Sequence, residues 1–145
     1  MKALIIIDIQ NDFLPGGSLE VKDGDKIITL INEMMDNYDH IIATKDWHPS
    51  NHVSFASNHP GKEIGDIIKV NGLNQILWPD HCVQDSYGSE FPKELNHEKI
   101  NKIIYKGKNK NMKTSRSQLF VDFGKHGCRI VRKEFLRYPD EHEEL

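Results

Sequence analysis

Asp46 and His48 stand one residue apart in the stretch KDWHPSNH, and in an extended or turned loop that spacing lets both side chains face one point. A carboxylate oxygen and an imidazole nitrogen suit zinc, iron or manganese. His81 would add a third protein ligand. Three protein ligands with an open position describe a catalytic ion rather than a structural one, because water or substrate can take the remaining place. His52, four residues past His48, is a candidate fourth ligand. The plainer reading is that eight histidines in 145 residues produce chance neighbours, with His40, His59, His97, His126 and His142 carrying no chemistry. Asp8 and Lys106 each close an apolar run, where an ionisable group either works at a strand end or serves as a turn cap or solvated terminus. Phe13 and Trp78 can flank a flat ring by stacking, although both types more commonly pack in cores.

Elements that would carry these groups follow from the pattern of apolar residues. ALIIIDI at 3–9 and HIIAT at 40–44 are continuous apolar runs of the kind buried on both faces of a parallel sheet. Between them LPGGSL at 14–19 reads as a turn, and 24–36 spaces Ile27, Ile28, Leu30, Ile31, Met34 and Met35 at helical intervals behind Asp23 and Asp25. The opening is a βαβ unit. Residues 58–92 show little periodicity and read as a long loop, which in a compact domain is usually functional. A short helix over 93–100 and a third strand over 102–106 follow, so that Asp8, Asp46 and Lys106 all fall at carboxyl ends of strands. Beyond Lys106 the pattern weakens, with one more strand expected at 128–131 before an acidic end.

The whole is sized for one domain, 1–145, and a net charge of −3 gives no reason to expect a nucleic-acid or membrane partner. Charge is unevenly spread: residues 1–105 hold 9 Lys and Arg against 16 Asp and Glu, while 106–145 hold 10 against 6. A basic interaction tail is one way to read that shift. The run after Met1 is too short for a signal peptide or a membrane span, so a cytoplasmic location is expected, and with it reduced Cys82 and Cys128.

Residues 4–18, LIIIDIQNDFLPGGS, residues 45–56, KDWHPSNHVSFA, residues 78–84, WPDHCVQ, and residues 105–107, YKG, resemble four signature stretches of the nicotinamidase/pyrazinamidase family of isochorismatase-like cysteine hydrolases, in the same order. The resemblance covers residues 1–107, leaving 114–145 as a divergent tail. It implies an α/β fold, three-layer α/β/α with a mostly parallel sheet, whose C-terminal part is here incomplete or divergent. It implies hydrolysis of nicotinamide to nicotinate and ammonia in NAD salvage, with pyrazinamide as a second candidate substrate and a homo-oligomer as an allowed state. In that family a Cys, an Asp and a Lys act together. Asp8 resembles the acid that takes the thiol proton and Lys106 the cation beside it, while Asp46, His48 and His81 resemble the ligands of a divalent ion, zinc before iron or manganese. Phe13 and Trp78 resemble the aromatics that hold the pyridine ring.

The nucleophile departs from the pattern. The family carries its Cys beyond the Lys in a stretch like GLATDYCV, and this sequence has none. Cys82 matches the non-nucleophilic Cys of WPDHC, and Cys128, in KHGCRIV, has neither the flanking residues nor the spacing. After the Lys the family shows a segment like DSYSAFFD where this chain has TSRSQLFVD at 114–122. The expectation is a truncated or frameshifted family member, and the alternative to an amidohydrolase is an inactive relative that still binds metal or nicotinamide.

Overall fold

The computed structural model describes residues 2–111, 119–124 and 127–132. Strands β1 (Ala3–Ile7), β2 (His40–Asp46) and β5 (Lys102–Lys106) form a parallel sheet in the order β1-β2-β5, with helix α1 (Ile27–Met35) between the first two. This is the α/β arrangement with a parallel sheet that the sequence implies. Among the described residues α1 is the single α-helix. Its residues Ile28, Ile31 and Met35 recur at three- and four-residue intervals and face Ile6, Ile41 and Ala43 of the sheet and Leu95. Burying each large apolar side chain contributes about 2 kcal/mol, which fixes the sheet against the helix. Asn32 on the outer turn of α1 ties down the following segment, donating to Glu94 O at 2.8 Å and accepting from Asn96 N at 2.9 Å.

Several boundaries differ from the sequence reading, each for a local reason. The first strand stops at Ile7 because Asp8 takes a positive φ of 53°. The helix begins at Ile27, after a 3-10 turn over Gly24–Lys26. No α-helix forms over 93–100, where a single 3-10 turn, His97–Lys99, lies between the buried Leu95 and the start of β5. Eight residues with one buried apolar anchor are too few to sustain a helix. The stretch 58–92 is not all loop. It contains an antiparallel hairpin of β3 (Ile67–Val70) and β4 (Leu73–Ile76), turned by Asn71 and Gly72 with φ of 50° and 80°.

A second antiparallel pair, β6 (Leu119–Gly124) and β7 (Gly127–Arg132), includes the strand expected at 128–131. Residues 112–118, 125–126 and 133–145, which include most of the divergent tail, lie outside the described residues. No helix among the described residues is long and apolar enough to cross a membrane.

Candidate active and metal site

The loop that leaves β2 at the carboxyl end of the sheet runs beside the segment that follows β4 of the hairpin. His48 N–H donates to Cys82 O at 2.9 Å and Gln84 N–H to His48 O at 2.8 Å, and farther along Trp78 N–H donates to Ser54 O at 2.8 Å while Ala56 N–H donates to Trp78 O at 2.9 Å. These bonds make isolated parallel bridges at His48 with Val83 and Phe55 with Trp78. The pairing brings His81 to the pair that ends β2. Asp46, His48 and His81 then offer one ligand atom each, all within 4.8 Å of one another.

Both imidazoles are oriented by backbone. His48 Nδ1 donates to Gly107 O at 2.9 Å and His81 Nδ1 to Pro79 O at 2.7 Å, which leaves the Nε2 lone pair of each free. His48 Nε2 is buried without a hydrogen-bond partner, and Asp46 Oδ2 lies 3.7 Å from it. A buried nitrogen acceptor left bare beside a carboxylate and a second bare imidazole is what a divalent ion would satisfy, so the residues fit one. Burial lowers the pKa of His81, against the bond to Pro79. Burial would raise that of Asp46, but the Lys106 ammonium bonded to it outweighs burial and holds the carboxyl below the usual carboxylate range. Neutral imidazoles and an ionised carboxylate are the ligating forms. Phe55, fully buried, forms the floor, with ring centroids 5.7 Å from His48 and from His52 and 5.4 Å from His81.

Asp8 and Lys106 meet above the strand ends. Lys106 Nζ bonds Asp8 Oδ2 at 2.7 Å and also Asp46 Oδ1, bridging the two carboxylates. Burial would lower the pKa of this lysine, but Asp46 and Asp8 raise it, so the ammonium persists. Thr44 Oγ1 donates to Asp8 Oδ1 at 2.6 Å, occupying the other oxygen.

The structure thus gathers Asp8, Asp46, His48, His81 and Lys106 at one end of the sheet. Phe13 lies beside them with its ring 5.8 Å from His81, and Trp78 is half-buried three residues before that histidine. His52 stands outside the three-ligand group. Its ring packs 4.6 Å from His48, its Nδ1 meets Ser54 Oγ at 2.8 Å, and burial with the neighbouring His48 brings its pKa down to about 4. Cys82 is fully buried, and burial followed by the nearby Asp46, Asp12 and Asp8 carboxylates pushes its thiol well up, the opposite of what a nucleophile needs. Cys128 falls within β7.

Sequence reasoning passed over Thr44, Phe55 and Gly107. Gly107 has a φ of 69°, and a Cβ there would collide with the His48 ring, so the last letter of YKG is set by the imidazole it supports. That letter was the available signal.

A nicotinamidase of Acinetobacter baylyi is 46% identical over 110 residues, which are 76% of this chain and 51% of that protein. A solved nicotinamidase/pyrazinamidase of Acinetobacter baumannii superposes with a TM-score of 0.71 at 44% identity, covering 74% of this chain and 52% of that one. The chain belongs to the nicotinamidase family. A family member from Pyrococcus horikoshii, a pyrazinamidase solved in complex with zinc, is 38% identical with a TM-score of 0.58, covering 77% of this chain and 55% of its own. The chain spans about half the length of the curated nicotinamidases it matches. No family model matches it.

Proposed function

We propose that this chain carries the metal-and-base half of a nicotinamide amidohydrolase site, for the reaction of nicotinamide with water to give nicotinate and ammonia. The observation that carries this reading is the Lys106 ammonium held between Asp8 and Asp46, which joins a carboxylate base to a three-ligand ion cradle. Asp8 is the proton acceptor, turned to its task by Thr44 and Lys106 on its two oxygens. Lys106 stabilises the negative charge that develops beside Asp8. Phe13 and Trp78 hold the flat pyridine ring next to His81. Asp46, His48 and His81 would hold the divalent ion, with zinc as our choice of ion. Once bound, that ion supplies Lewis-acid polarisation and a binding point for a ring nitrogen. Pyrazinamide, which keeps such a nitrogen and the carboxamide, is a second candidate substrate. The reaction belongs to NAD salvage and to the cytoplasm.

Attack on the carboxamide carbon needs a thiol in reach of Asp8, and the buried Cys82 is unsuited to it. That observation favours one other reading, a module that binds metal or nicotinamide without turnover. The test is ammonia release from nicotinamide with added zinc, run on the full chain, its Asp8→Asn and its Cys128→Ala variants. Ammonia that disappears in Asp8→Asn supports the amidohydrolase. Saturable nicotinamide binding with no ammonia supports the binding module and overturns the enzyme.

A further inference from the structure

Gln10 and Asp12 lie two residues apart on the loop that leaves β1, and neither is among the proposed ligands. Gln10 is fully buried and its carboxamide is completely used: Oε1 accepts from Asp46 N at 2.7 Å, and Nε2 donates to Asp46 O and to Ser89 O, both at 2.8 Å. The last backbone bond from this side of the β1–β2 pair is Asp8 N–H to Thr44 O at 3.2 Å. From there the Gln10 side chain continues the ladder, offering Asp46 the acceptor and the donor that a strand residue would offer. On the opposite side Trp47 N–H donates to Lys106 O at 2.9 Å. The backbone of Asp46 is therefore pinned between β5 and a side chain.

Asp12 does the same for the other loop. Its Oδ2 accepts from Cys82 N at 2.6 Å, and that N–H belongs to the peptide joining His81 to Cys82. Cys82 holds a positive φ of 46°, a conformation that a β-substituted residue keeps only when its surroundings impose it. Room for the carboxylate comes from Gly88, where a Cβ would overlap it.

We infer that Gln10 and Asp12 are positioning residues for the bound ion, Gln10 setting Asp46 and Asp12 setting His81. The inference rests on the reading of Asp46, His48 and His81 as ligands. Outer partners of this kind orient ligands before the ion arrives, so their loss is felt in affinity and in coordination geometry, which a merely structural role would leave unchanged.

The experiment uses the full chain stripped with a chelator, titrated with zinc against a chromophoric competitor and with cobalt(II) read by its visible absorption. Wild type is expected to take one ion. Gln10→Leu and Asp12→Ala are each expected to weaken zinc by about ten- to a hundredfold and to shift the cobalt bands. Asp12→Asn keeps an oxygen for Cys82 N–H and is expected to restore wild-type affinity and spectrum. Gly88→Ala touches no ligand but displaces Asp12, so it should follow Asp12→Ala and carries the test if Gln10→Leu fails to fold. Wild-type affinity and spectrum in Gln10→Leu and Asp12→Ala would overturn the inference, even where their melting temperatures fall. Failure of wild type itself to bind either ion would instead overturn the ligand assignment.

Discussion

The carboxyl end of the three-stranded sheet and the β3–β4 hairpin are built on opposite terms. At the sheet end polar side chains are buried, among them Gln10, His48, His52 and Ser54, each 0% exposed. In the hairpin apolar side chains are left out, with Ile67 at 59%, Leu73 at 53% and Ile76 at 44% exposure. Directional bonds hold the first region, so its geometry is specified to the atom and the loss of one partner strands another. The second has a register and a turn but, the buried Gln75 apart, little to pack against on its outer side, so its outward-facing side chains decide little. Order in this protein is concentrated where chemistry would need it.

Removing Lys106 should break the first region hardest. In Lys106→Met the Asp8 and Asp46 carboxylates, 19% and 15% exposed, face each other without the cation between them. Leaving partly buried charges uncompensated is expected to cost about 3 kcal/mol, read from urea unfolding midpoints of the variant and wild type. A loss below about 1 kcal/mol would mean that water already screens the pair and that the polar network is not what holds this end. Adding Asp8→Asn to Lys106→Met should return part of the loss, since only one carboxylate then remains ionised.

Phe55 is the apolar exception inside the polar region, fully buried with three imidazoles against it. Phe55→Ala is expected to cost about 3 kcal/mol in thermal or urea unfolding and to weaken zinc, because the floor under His48 and His81 is lost. Normal zinc affinity in a destabilised Phe55→Ala protein would show that the backbone bonds to Gly107 and Pro79 alone fix the rings. Gly107→Ala comes next, expected at about 1 to 3 kcal/mol for a side chain forced into positive φ against the His48 ring. Zinc titration checks it, and an unchanged affinity would show that the ring yields without losing its place.

Much of the parallel sheet was legible because continuous runs such as ALIII and HIIAT have few other homes. The gathering of Asp8, Asp46 and Lys106 followed from it, since strand ends in a parallel sheet converge. His81 could be offered as a third ligand on residue type, and the motif resemblance added weight, but its approach depends on loop bonds between His48 and Cys82 that no periodicity announces. Gln10 stayed hidden for a related reason, because a glutamine that completes a strand ladder looks like any polar loop residue. The hairpin was missed although Asn71-Gly72 is a strong turn signal, because four-residue strands with their apolar groups facing out give no alternation toward a core. The expected helix over 93–100 failed where composition outweighed the single buried anchor, Leu95.

The smallest expected effect lies in the hairpin and tests the other half of the contrast. Ile67 and Ile76 are paired across the two strands, and both are largely exposed. Replacing them together as Ile67→Thr and Ile76→Thr keeps β-branching at both positions and removes apolar surface from solvent. Unfolding free energy should stay within about 0.5 kcal/mol of wild type, the cross-strand contact being the only thing lost. Zinc should raise the melting temperature of this variant by the same increment as wild type, because mass action depends on the ion's affinity and the proposed ligands are elsewhere. Solubility should rise as the apolar patch shrinks. A loss above about 2 kcal/mol would place Ile67 and Ile76 against a covering surface, by the same reasoning that assigns such costs to buried side chains. A smaller zinc increment at unchanged stability would tie the hairpin to the ion through Leu77 and the loop to Trp78, and the two regions would then be one mechanical unit.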